Sequence, residues 1–71
     1  MIHKGQRVRI KPHRADPGDE NFERFALEDE DDRGKIKIVT LMPGMVWDCV
    51  RVEMAEDLEV IDGPCAPLPL P

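Results

Sequence analysis

Apolar and charged residues alternate along four stretches of the chain, and a period of two marks strands that bury one face. Between Gln6 and Lys11, Val8 and Ile10 fall on one side while Arg7, Arg9 and Lys11 fall on the other, and Pro12 ends the run. From Phe22 to Glu28 the alternation sets Phe25 and Leu27 against Phe22, Arg24 and Ala26. From Lys35 to Leu41 it turns Ile36 and Ile38 inward and Lys35 and Lys37 outward. From Val46 to Glu53 it opposes Val46, Val50 and Val52 to Trp47, Cys49 and Arg51, but Asp48 lands on the apolar side. A bulge near Asp48, or a pairing that ends there, resolves that conflict. Leu58 to Ile61 reads as a short last strand.

The connections follow from turn chemistry. His13 to Asn21 is a polar loop, long for a hairpin, with Pro17-Gly18 setting a turn inside it. The carboxylates from Glu28 to Asp32 cannot enter a buried strand together, so that run is a solvated turn closed by Gly34. Pro43-Gly44 makes the next turn, and Met54 to Asp57 suits a single 3-10 turn. Beyond Asp62 the prolines at 64, 67, 69 and 71 forbid ladder pairing and favour an extended polyproline segment. That tail presents Leu68 and Leu70 between prolines and contains a bare Pro64-x-x-Pro67 spacing; it either docks on a surface or frays as a chain end.

The expectation is an all-β fold: a small five-stranded barrel over residues 1–62, a one-turn 3-10 helix before the last strand, and a Pro-rich extended tail over 63–71. Closure into a barrel removes the exposed edges that so short a chain can hardly shield. The expected core is Val8, Ile10, Phe25, Leu27, Ile36, Ile38, Val50, Val52, Leu58 and Val60.

This order of elements resembles the SH3-like barrel, with Gly5-Gln6-Arg7-Val8-Arg9-Ile10 as the opening strand and Glu56-Asp57-Leu58-Glu59-Val60-Ile61 as the closing segment. More narrowly, Arg7-Val8-Arg9-Ile10-Lys11-Pro12 followed by Asp16-Pro17-Gly18-Asp19-Glu20 resembles short uncharacterised bacterial proteins, some of them encoded on mobile gene cassettes. The resemblance implies a fold and no known activity. One enzyme of this fold and length, the plasmid-type dihydrofolate reductase, carries a Val-Gln-Ile-Tyr motif in its shared pore. Neither Ile36-Lys37-Ile38-Val39 nor Leu58-Glu59-Val60-Ile61 supplies its Gln or Tyr.

Composition narrows the chemistry. The chain of 71 residues has no Ser and no Tyr, and its nucleophiles reduce to Thr40, Cys49 and Cys65, so Ser-His-Asp catalysis is excluded by inventory. The expectation is therefore a protein that is not an enzyme and has no cofactor. The acid run, or His13 with Asp16, Asp19 and Glu20, could supply metal ligands, but neither has metal-site spacing and no metal is expected. The N-terminal residues lack the apolar stretch of a secretory signal, and the longest uncharged run, Ile38 to Trp47, is broken by Pro43-Gly44. These features predict a cytoplasmic protein with reduced cysteines and no membrane segment.

Two kinds of partner remain. Exposed Trp beside Arg is a common hot-spot composition, which makes Phe22, Met45, Trp47 and Arg51 the candidate protein-binding residues, with Trp47 alternatively filling a barrel end. A small barrel without staple or metal gains stability from self-association, so a homo-oligomer is expected alongside an unidentified protein partner. The second reading is nucleic-acid binding by Arg7, Arg9, Lys11, Arg24, Lys35 and Lys37, all assigned to outward strand faces. A net charge of −5 and the scarcity of stacking aromatics place it behind the first.

Overall fold

A computed structural model describes residues 1–62 and 65–71. Five antiparallel strands form one sheet: β1 (Arg7–Ile10), β2 (Glu23–Ala26), β3 (Lys35–Met42), β4 (Val46–Met54) and β5 (Leu58–Val60), in the order β4-β3-β2-β1-β5. A 3-10 turn, Ala55–Asp57, precedes β5 as the sequence predicts, and a second, Asp19–Asn21, lies in the long β1–β2 loop. No helix among the described residues is long and apolar enough to cross a membrane. The start of the Pro-rich segment, Gly63 and Pro64, and with it the first proline of the Pro64-x-x-Pro67 spacing, lies outside the described residues.

The turns form where Pro and Gly put them. Asp19 N donates to Asp16 O across Pro17-Gly18, and Met45 N donates to Met42 O across Pro43-Gly44. Gly18 (φ 92°) and Gly44 (φ 87°) take the left-handed conformation that the third position of a type II turn requires. The sheet is open. The expected barrel closure is not made by strand pairing, because β4 and β5 remain its two edges among the described residues.

Register divides the side chains into two faces. On the inner face, Val8, Ile10, Ala26, Ile36, Ile38 and Leu58 pack into one cluster, and Ile2 from the N-terminal segment joins it. On the outer face Phe25 pairs with Val39, and Trp47 pairs with Leu41. Trp47 meets Phe25 edge-on, with ring centroids 5.6 Å apart and planes at 83°. Consecutive residues of the middle strands are therefore buried on both sides: Arg24 to Ala26 in β2, and Ile38 to Leu41 in β3.

This two-sided burial corrects part of the expected core. Val8, Ile10, Phe25, Ile36, Ile38 and Leu58 are buried, but Val50, Val52 and Val60 are 55%, 59% and 46% exposed, and Leu27 is half-buried. The valines lie on the edge strands, where no neighbour covers them. Ile38 pairs with Arg51 and Thr40 with Asp48, leaving Cys49 and Val50 opposite Val39 alone. That is the bulge the misplaced Asp48 implied, and Cys49 adopts φ 57° within it. It shifts the alternation, so Trp47 and Val52 share the outer face although the sequence pattern opposes them. Val39, Leu41, Ala26 and Ile2 take the vacated places in the core.

The acid run does more than stay hydrated. Asp29 Oδ1 accepts from Lys4 N (2.8 Å) and Glu30 Oε1 from Ile2 N (3.1 Å), while Glu30 N donates back to Ile2 O (2.9 Å). These bonds hold the segment that delivers Ile2 to the core. Asp31 Oδ1 accepts from the backbone of both Lys35 and Arg33 at 2.8 Å, closing the turn before β3. The Lys35 amide above all, helped by that of Arg33, holds the Asp31 carboxyl below the ordinary carboxylate range.

Two outcomes check this arrangement. Leu41→Ala costs about 2–5 kcal/mol in urea unfolding, whereas Val50→Thr changes stability by less than about 0.5 kcal/mol. A lowered carboxylate pKa stabilises the fold above the ordinary value and ceases to do so as the pH falls through the folded-state value. The gap in melting temperature between the wild type and Asp31→Ala therefore narrows as the pH is taken from neutral into the acid range. A constant gap would assign the loss to something other than the charge.

Candidate functional site

The inner face carries polar residues at the end remote from Ile36, and these build the most distinctive site. Val8, Arg24, Thr40 and Asp48 lie at one level across β1, β2, β3 and β4. Alternation sends the Arg24 side chain to the same face as Ala26, so it enters the protein, and the residue is only 6% exposed. A buried guanidinium requires a partner. Asp19, on the 3-10 turn of the long loop, supplies it: Nη2 donates to Asp19 Oδ1 (2.9 Å) and Nη1 to Asp19 O (3.1 Å). Arg24 also lies over the Phe22 ring, with Cζ 5.9 Å from its centroid.

A second polar chain ties the same loop to β4. Glu53 is buried and accepts from Arg51 Nη2 (2.7 Å) and from Arg14 Nη2 (3.4 Å). Arg14 Nε lies 3.5 Å from Asp57 Oδ2, and His13 Nε2 lies 3.1 Å from Asp57 Oδ1. The loop is thus pinned at one end through Arg14 and His13 and at the other through Asp19. Among the described residues no three His, Cys, Asp or Glu side chains gather as metal ligands.

Between these anchors opens a cleft of about 390 Å³, lined by Phe22, Arg24, Thr40, Met42, Cys49, Val50 and Arg51. The structure brings two of the four candidate partner residues, Phe22 and Arg51, into this cleft. Met45 stands at the β3–β4 hairpin tip, bordering a neighbouring groove that Phe22 also lines. Trp47 is separated from them on the outer face, half-buried against Phe25, where its indole Nε1 donates to Pro69 O (2.9 Å). Ala66 N donates to Gly5 O (3.2 Å), which ties the C-terminal segment to the segment that leads into β1. Trp47 therefore serves as cover for the outer face.

The basic residues do not form a common face. Arg24 is buried on the inner face, which overturns its assignment to an outward one, and Arg51 is half-buried beside Glu53. Arg7 and Arg9 point outward but are engaged by Glu23 (3.8 Å) and Glu59 (2.6 Å). Lys11 is half-buried where β1 ends. Lys35 and Lys37 are exposed and, among the described residues, unpaired with a carboxylate. Sequence reasoning missed the roles of Asp19, Thr40 and Glu53. A signal was present for Thr40 and Glu53, which fall in step with Ile36 and Ile38 once the bulge is counted.

Trp47 gives this geometry a direct readout. Removing residues 65–71 exposes the indole, shifts its emission to the red and lowers the melting temperature; an unchanged spectrum would mean that the segment does not cover Trp47. Compared with protein-family models, with curated proteins and with solved structures, the chain matches none.

Proposed function

We propose that the protein is a non-catalytic protein-interaction module built on an SH3-like barrel, and that its first partner is a second copy of itself. The observation that carries this reading is the open β4 edge, which presents Val46, Val50 and Val52 at 58%, 55% and 59% exposure beside Met45 at the hairpin tip. Exposed apolar residues along an edge strand with one side unpaired are the composition of a contact surface. The strand order, the long β1–β2 connection and the 3-10 turn before β5 support the SH3-like reading. The two unpaired edges are the departure from it, and a partner on β4 covers one of them.

The alternative, nucleic-acid binding, loses its footing in the arrangement of charge. Of the six residues proposed for it, Arg24 is buried, and Arg7 and Arg9 face acidic partners. Lys35 and Lys37 are left as exposed cations in a chain of net charge −5.

Sedimentation equilibrium at tens of micromolar protein gives a mass above that of the monomer, and Val52→Lys returns it to the monomer without lowering the melting temperature of the isolated chain. A monomer at that concentration rejects self-association. Saturable, salt-sensitive binding of single-stranded DNA or RNA by the wild type would instead favour the basic residues.

A further inference from the structure

The cleft between Phe22 and Arg51 has a polar composition that the interaction reading leaves unused. Of its seven lining residues two are Arg and one is Thr, and none is acidic, although the chain carries fifteen carboxylates against ten Lys and Arg. The remaining walls are Phe22, Met42, Cys49 and Val50. Arg24 Nε and the Thr40 hydroxyl are both buried and, among the described residues, have no hydrogen-bond partner. Native proteins rarely leave such groups unsatisfied, because a buried donor forfeits water and receives nothing in return. Arg51 lines the cleft, bonds Glu53 through Nη2, and leaves about a third of its side chain open.

We infer that this cleft binds a small organic acid, its carboxylate taken by Arg51 together with Thr40 and Arg24, and its hydrocarbon part laid against Phe22, Met42 and Val50. A carboxylate is a planar acceptor with two oxygens, and a guanidinium is the side chain best shaped for one. The apolar walls discriminate against an inorganic anion, which has nothing to place on them. A volume of about 390 Å³ falls at the lower end of the range that small-molecule sites occupy. Arg24 and Thr40 lie beneath the surface, so an entering carboxylate meets Arg51 first and reaches them as the exposed Phe22 and Val50 side chains move aside. Val50 belongs both to this cleft and to the proposed β4 contact, so the titration is run on the Val52→Lys chain as well as on the wild type, which lets the two readings fail separately.

Hexanoate is the probe and 1-hexanol its neutral counterpart, titrated into the full chain with backbone and arginine Nε–H resonances followed by NMR. Hexanoate produces saturable shifts at Arg24 Nε–H, Thr40 and Val50, and 1-hexanol binds at least about tenfold more weakly, as the loss of a charge-assisted bond demands. Arg51→Met keeps the stem of the side chain and weakens hexanoate by a similar factor. Thr40→Val is the decisive variant: it removes an unsatisfied hydroxyl, so the melting temperature holds or rises while hexanoate affinity falls several-fold. The assignment is overturned by an absence of saturable shifts at millimolar hexanoate, by equal affinity for 1-hexanol, or by a Thr40→Val protein that binds hexanoate as the wild type does.

Discussion

The middle of this sheet is covered on both faces, and the rest of the structure answers to that constraint. A chain of this size has too few apolar residues to supply two complete layers, so β2 and β3 bury Arg24 and Thr40 along with Phe25, Ala26, Ile38, Val39 and Leu41. On the outer face the deficit is met by one aromatic residue, since Trp47 closes over Phe25 and is itself fixed through its indole to the backbone of Pro69. On the inner face it is met by polar residues that bring their own partners.

Burying Arg24 has consequences that run through the loop. The guanidinium donates two hydrogen bonds to Asp19, and Asp19 can be there only if the β1–β2 connection folds back over the sheet. The turn at Pro17-Gly18 and the following 3-10 turn bring it there, while Arg14 and His13 secure the other end on Glu53 and Asp57. What reads in sequence as a long polar excursion is an ordered lid on the inner face. The cleft between Phe22 and Arg51 is lined by donors and by no carboxylate, in a protein otherwise rich in carboxylates. Breaking a buried ion pair of this kind by removing one partner costs about 3–5 kcal/mol, a large share of what so small a domain has.

Much of the fold was legible because turn chemistry and strand period are local. The strands, the turns at Pro17-Gly18 and Pro43-Gly44, the 3-10 turn before β5 and the irregularity at Asp48 all follow from neighbouring residues. What period two cannot convey is which strands lie in the middle. Val50 and Val52 alternate as well as Ile36 and Ile38 do, yet they stand at an edge, and Arg24 alternates like Arg9 yet lies between two covered strands. The bulge compounds this, since one extra residue reverses the face of everything beyond it. The site was less legible still: Phe22 and Arg51 were within reach of composition, but the pairing of Arg24 with Asp19 depends on a loop closure that no local pattern encodes.

The claim on which this account turns is that Arg24 is an interior residue made tolerable by Asp19. A double-mutant cycle measures it directly, with unfolding free energies in urea for the wild type, Asp19→Ala, Arg24→Met and the pair together. The account predicts a coupling of at least about 1.5 kcal/mol, with the double variant closer to the wild type than the sum of the single losses allows. Additivity within about 0.5 kcal/mol would contradict it, placing Arg24 in water and leaving the loop without its anchor.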